Sequence, residues 1–101
     1  MFLVEILLPL HDNEGRPFAS AMFAAVRQQL SSRFGGITSF MRTPAQGTFE
    51  SGGGVQHDEI VIMEIMTDQL DRDWWATYRK QLEIDFMQDE IVIRASIMEK
   101  L

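Results

Sequence analysis

Residues 59–67 read EIVIMEIMT, and this stretch decides the fold. Isoleucine, valine and methionine dominate it, and β-branched residues favour extended backbone. It is the strongest predicted strand in the chain. Apolar residues at nearly every position are typical of a strand that lies inside a sheet, with neighbours on both sides.

Three further strands are predicted around this one. Phe2–Leu8 is an apolar run broken by a single glutamate and ended by Pro9, as expected of a strand. Ile37–Arg42 is a weaker strand of β-branched and aromatic residues, and Ile91–Ile97 is the last strand. Between the two middle strands, residues 43–58 predict a long loop or a hairpin.

Two helices separate these strands. Pro17 suits the first turn of a helix, and apolar residues recur with helical spacing as far as Phe34. Gly35 and Gly36 then end the helix, because glycine readily adopts the left-handed conformation of a C-cap. The second helix carries both tryptophans. Oxygens for its N-cap are offered by Thr67, Asp68 and Asp71.

The resulting order is strand, helix, strand, strand, helix, strand. It predicts one α+β domain over residues 1–101 with a ferredoxin-like βαββαβ fold. Right-handed crossovers would place both helices on one face of a four-stranded antiparallel sheet of order 4-1-3-2.

The face of this sheet opposite the helices, here called the open face, is strongly apolar. Alternation along the strands assigns to it Leu3, Glu5, Leu7, Thr38, Phe40, Arg42, Ile60, Ile62, Glu64, Met66, Val92, Arg94 and Ser96. Such a patch is larger than monomers usually expose. Because most soluble oligomers are two-fold dimers, a second copy of the chain is the expected partner.

Three charged residues interrupt the apolar surface, and antiparallel pairing puts Glu5 beside Arg94. One interpretation is an ion pair that fixes the register of the dimer. Another is the polar floor of a ligand site, in which Glu5 and Glu64 raise the pKa of one carboxyl and Arg94 holds a carboxylate or phosphate. The walls would then be Phe40, Ile62 and Met66. A slip of one residue in strand register would reverse these assignments.

Composition narrows the possible partners. Fifteen acidic residues against nine basic ones give a net charge of −6, which argues against nucleic acid and against an anionic membrane surface. Cysteine is absent, no metal motif is present, and no cofactor is predicted. No apolar run reaches about 18 residues, and the N-terminus lacks the features of a signal peptide, so a cytoplasmic location is expected.

Two smaller features have alternative interpretations. Gly52-Gly53-Gly54 lacks the context of a phosphate-binding loop and predicts a flexible tip, or else a lid over the open face. In Trp74-Trp75 only one ring can face the core squarely. The other would cover a subunit boundary or form an aromatic wall for a ligand.

Several segments resemble a family of small bacterial proteins of unknown function. They are residues 4–7 (VEIL), 34–38 (FGGIT), 58–62 (DEIVI), Tyr78, and residues 86–92 (FMQDEIV). The resemblance covers most of the chain. Phe49 departs from it, since the family pattern has tryptophan there, and the loop after the first strand also differs. The resemblance implies the fold and brings no assigned activity.

At the level of fold, the chain is also similar to the dimeric ferredoxin-like α/β-barrel group, which includes cofactorless monooxygenases, isomerases and heme-handling enzymes. Fold alone does not fix function. The sequence therefore leaves three hypotheses, the first being a homodimer that binds a small molecule on the open face. The second is a cofactorless monooxygenase- or isomerase-like enzyme with a carboxylate base. The third is a structural dimerisation module with a further protein partner.

Overall fold

The computed structural model describes residues 1–36, 38–42, 50–51, 54–55 and 59–101, with side chains described in 1–36 and 59–101. The predicted α+β class is confirmed, with two helices and an antiparallel sheet. The strands are β1 (Phe2–Pro9), β2 (Thr38–Arg42), β3 (Glu50–Ser51), β4 (Gly54–Val55), β5 (Ile60–Thr67) and β6 (Val92–Ile97). The helices are α1 (Ser20–Phe34) and α2 (Arg72–Asp85).

Strand β1 lies between β5 and β6 and pairs antiparallel with both. Val4 is opposite Ile65 on β5 and opposite Ala95 on β6. On its other side β5 pairs antiparallel with β2, where Phe40 is opposite Ile62. These registers fix which side chains share a face, because directly opposed residues project from the same side of a sheet.

The helices cover one face of this sheet. In β1 every second residue is buried, namely Val4, Ile6 and Leu8. On β5 the buried residues of the same face are Val61, Met63 and Ile65, as the alternation predicts. They pack with Phe23, Val26 and Leu30 of α1, with Trp75 and Leu82 of α2, and with Phe86 and Ile91. Burying each large side chain stabilises the fold by roughly 1.5–3 kcal/mol.

Helix α1 begins at Ser20, so the prediction that Pro17 occupies its first turn is wrong. Pro17 instead forms an isolated β-bridge with His11, and the amide of Phe18 donates to the carbonyl of Leu10. These contacts keep the backbone extended before the helix. The end of the helix is as predicted: Gly35 has φ +79° and its amide donates to the carbonyl of Ser31.

Strand β6 lies at the edge of the sheet and is less covered than predicted. Ile91, the expected first residue of this strand, precedes it, because its amide donates to the Glu83 carboxylate rather than to the ladder. Alternation along this strand assigns Ile93 and Ile97 to the helix side. Ile93 is half-buried, whereas Ile97 is 84% exposed. The helices therefore cover β1 and β5 better than β6.

The segment between β2 and β5 contains a short hairpin, one of the two forms predicted for it. Glu50 is opposite Val55 and Ser51 is opposite Gly54. The proposed tip residues Gly52 and Gly53, like Phe49, lie outside the described residues. No helix in the described part of the chain is long and apolar enough to cross a membrane.

Candidate functional site

Four residues in register form a polar row across the open face. Thr38 is opposite Glu64, Glu64 is opposite Glu5, and Glu5 is opposite Arg94. The row runs perpendicular to β2, β5, β1 and β6, so two carboxylates stand side by side on the inner strands. The predicted neighbourhood of Glu5, Glu64 and Arg94 is therefore present.

Within this row Arg94 and Glu5 form an ion pair. Nε of Arg94 donates to Oε1 of Glu5 at 3.0 Å. The Glu5 side chain is only 18% exposed, whereas that of Arg94 is 50% exposed. A hydrogen bond between charged groups in this setting is stronger than a fully hydrated surface pair, although water still reaches the arginine.

The second carboxyl has a different environment. Burial raises the pKa of Glu64, and the charge of Glu5 and a hydrogen bond between the two carboxyls raise it further. Within the described residues, the side chain of Arg94 forms its salt bridge and its hydrogen bond with Glu5 and not with Glu64. A raised pKa of this kind is expected when two carboxylates share a site.

Apolar residues flank the polar row on both sides. Leu3, Met66 and Ser96 form one neighbouring row, and Leu7, Ile62 and Val92 form the other. Met66 is 48% exposed and Val92 is 46% exposed, so part of this surface is open to a partner. The polar row is therefore bordered by apolar surface.

Of the predicted wall residues, Ile62 differs from expectation, and the side chain of Phe40 lies outside the described residues. Ile62 is completely buried, although alternation assigns it to the open face. It has no surface with which to contact a ligand. Phe40 is placed in register with Ile62, but its side chain is outside the described residues.

A groove of about 460 Å³ connects the open face to the end of α1. Glu64, Leu3 and Met66 line it from the sheet. The rest of its lining consists of Met1, Phe34, Gly35, Gly36, Ile65 and Lys100. Sequence reasoning missed Lys100, since nothing in its local pattern indicates that the C-terminal segment returns to this edge of the sheet.

The positions of the two tryptophans agree in part with the prediction. Trp75 is buried in the core, whereas Trp74 is half-buried and stacks on Tyr78 with centroids 4.9 Å apart. The guanidinium of Arg33 lies 4.3 Å from the centroid of the Trp74 ring, a cation–π contact. The contacts of Trp74 are thus with its own chain, and its role at a subunit boundary or ligand wall stays a prediction.

Tyr78 closes this aromatic cluster. Its hydroxyl donates to Oε1 of Gln29 at 3.0 Å and joins α2 to α1. Burial, with a smaller contribution from the charge of Asp85, raises the pKa of Tyr78 to about 12. The phenol therefore stays neutral at physiological pH and serves packing rather than proton transfer.

The described residues contain no group of three or more histidine, aspartate or glutamate side chains placed to hold a metal ion. His11 lies at the bridge to Pro17, and His57 lies outside the described residues. No protein-family model, no curated protein and no solved structure matches the chain. The site is therefore interpreted from its own geometry.

Proposed function

We propose that the protein is a ferredoxin-like homodimer that binds a small molecule on its open sheet face. Glu5, Glu64 and Arg94 form the polar floor of the site, and Met66 and Phe40 contribute its walls. No cofactor is included. A cytoplasmic location, and membership of the small bacterial family that the sequence resembles, are part of the same proposal.

The strand pairings support the ferredoxin-like order. If the short β3–β4 hairpin is set aside, the chain runs β1, α1, β2, β5, α2, β6. The pairings β2–β5, β5–β1 and β1–β6 correspond to the order 4-1-3-2 when the strands are counted in sequence. In this arrangement β2 supplies the fourth strand, at the edge beside β5.

The exposed apolar residues of the open face support the dimer. Met66 and Val92 are each nearly half exposed, although they occupy strands whose other face builds the core. Association of two such faces removes this surface from water and gains roughly 25 cal/mol for each Å² of apolar area buried. A two-fold dimer needs only one self-complementary patch of this kind.

The Glu5–Arg94 pair beside Glu64 carries the ligand proposal. Glu5 and Glu64 offer carboxyl oxygens as acceptors, and Arg94, half of whose side chain is accessible, offers N–H donors. Such a set orients a small polar group, for example a carbonyl or carboxylate, while the apolar rows contact the body of the ligand. The groove that reaches Glu64 supplies space for it.

The dimer is tested by placing a charge on the open face. Met66→Asp should convert the dimer to a monomer, as measured by light scattering after size-exclusion chromatography. Ile84→Asp is the matched control, because Ile84 is 70% exposed on α2 and lies away from this face. Equal behaviour of the two variants contradicts the proposed interface.

The raised pKa of Glu64 favours a second candidate, the cofactorless enzyme. A carboxylate whose pKa lies closer to neutrality is a better general base for abstracting a proton next to a carbonyl. In that case Glu64→Gln should keep the fold and the dimer and abolish turnover, while ligand binding persists. A stable dimer without either ligand or turnover would leave the third hypothesis, a structural dimerisation module.

A further inference from the structure

A second groove lies on the helix side of the sheet, between α2 and the edge strand β6. Its volume is about 240 Å³. It is lined by Val4, Leu70, Arg72, Trp75, Ala76, Arg79, Ile93, Arg94 and Ala95. Apart from Arg94, which also belongs to the open face, its lining comes from α2, the turn before α2 and the helix-facing side of β1 and β6.

The floor of this groove is apolar. Val4 and Trp75 belong to the core, and Ile93 packs against it. Ala76 on α2 and Ala95 on β6 contribute only methyl groups to the lining. Larger side chains at these two positions would fill the space between the helix and the strand. The volume is below the roughly 300–1,000 Å³ of sites for drug-sized ligands, so it suits a small molecule.

The charge of the groove is of one sign. Its lining includes arginines and no aspartate or glutamate, in a chain whose net charge is −6. Arg79 is 3.7 Å from Glu83, a long contact, and the same Glu83 oxygen accepts the amide of Ile91. The guanidinium of Arg94 bonds Glu5 on the opposite face, so the cations at this rim are Arg72 and, beside Glu83, Arg79.

One donor beneath the groove is unsatisfied. The indole N–H of Trp75 is buried, and it has no hydrogen-bond acceptor among the described residues. Because this N–H has almost no accessible surface, a molecule in the open groove does not reach it. The polar contacts of an occupant therefore fall to the arginines of the lining.

From these observations we propose that the groove between α2 and β6 binds a small hydrophobic monocarboxylate. Its apolar body contacts Ala76, Ile93 and Ala95, and its carboxylate is held by Arg72 and Arg79. Guanidinium groups suit this task because they present parallel N–H donors to a carboxylate. Arg94 lines both this groove and the open-face site, but it is not used here because its Nε donates to Glu5.

The test uses octanoate as the probe and the full chain as the protein. Titration is followed by the fluorescence of Trp74 and Trp75, the two tryptophans of the chain. Octan-1-ol has the same carbon chain and no charge. It should bind at least about tenfold more weakly than octanoate, which is the loss of affinity expected when hydrogen bonds to a charged group are removed. Equal binding of acid and alcohol would overturn the proposal.

Variants locate the site. The double variant Arg72→Gln, Arg79→Gln should weaken octanoate binding by about tenfold or more. Lys80→Gln is the matched control, because it removes a charge from the same helix without lining the groove. A similar effect of the control, or no effect of the double variant, would mean that octanoate binds by nonspecific attraction or elsewhere.

A third variant tests the space itself. Ala76→Leu should fill the groove and abolish octanoate binding, while the circular dichroism spectrum stays unchanged. Met66→Asp, on the open face, should leave octanoate binding intact even if it dissociates the dimer. Loss of binding in Met66→Asp but not in Ala76→Leu would place the probe on the open face and contradict the groove.

Discussion

Arg94 on the edge strand β6 reaches across to Glu5 on the central strand β1, and Nε and Oε1 are 3.0 Å apart. The pair brings a positive charge to one side of Glu5, while Glu64 stands opposite Glu5 on its other side. The row therefore carries, in order, the positive charge of Arg94, the Glu5 carboxylate paired with it, and the Glu64 carboxyl, whose pKa is raised. The ligand-binding and dimer hypotheses both depend on this arrangement.

Removing the arginine should destabilise the fold. Arg94→Met leaves Glu5 half-buried without its cation, and we expect the free energy of unfolding to fall by about 1 kcal/mol. Arg16→Met is the matched control, since the Arg16–Glu14 pair is largely exposed, and its effect should be close to zero. Urea denaturation at pH 7 measures both. Equal losses would show that the Glu5–Arg94 pair behaves as an ordinary surface contact.

Glu64 should make stability depend on pH. Its pKa is raised in the folded state, so the folded protein binds more protons than the unfolded one just above pH 4.5. Stability should therefore fall as the pH rises from 4.5 through the folded pKa of Glu64. Glu64→Gln should remove this part of the pH dependence and be more stable than wild type at pH 7, because it relieves repulsion with Glu5.

The comparison needs urea denaturation of both proteins over this pH range. Glu14→Gln, at an exposed glutamate, is the control and should keep the wild-type pH profile. A Glu64→Gln profile parallel to that of the wild type would contradict the raised pKa.

Tyr78 should lose its phenolic proton at a higher pH than an ordinary tyrosine does. It is the only tyrosine in the chain, so the absorbance of its phenolate in the near ultraviolet reports one group. Burial and the charge of Asp85 predict a midpoint at pH about 12 rather than near the ordinary value of 10.0. A midpoint near 10.0 in protein that is still folded would show that the phenol is hydrated.

Substitutions on the two faces of helix α2 should differ sharply in how much they lower the free energy of unfolding. Leu82 is fully buried, and Leu82→Ala should cost about 2–5 kcal/mol through lost contacts and a residual cavity. Ile84 is 70% exposed two residues further along, and Ile84→Ala should change the free energy of unfolding by less than about 0.5 kcal/mol. Chemical denaturation measures both, and similar costs would contradict the assigned helix face.

Much of the sheet could be predicted because alternation restricts it strongly. The buried residues of β1 and β5 follow from the two-residue period, and the same period fixes the Glu5–Arg94 pairing once both core faces must be in phase. The end of α1 at Gly35 was equally local, since it depends on a positive φ. These features need no knowledge of distant contacts.

Other features depend on tertiary position and could not be read from local patterns. The start of α1 is set by the pairing of Phe18 with Leu10 and of Pro17 with His11, which competes with the helical preference of proline. The burial of Ile62 is not given by the alternation of its strand, because that pattern tells which face a residue occupies and not what covers it. The groove beside β6 requires the distance between a helix and an edge strand, which no sequence period encodes.

The central claim is that two copies enclose the open face and hold a small molecule there. Native mass spectrometry of the protein as purified from cells tests it most directly. The account predicts a species of twice 11.6 kDa with additional bound mass, and loss of that mass in the dimer of Glu5→Gln. A stable monomer at micromolar concentration, or a dimer that carries no added mass, would contradict the account.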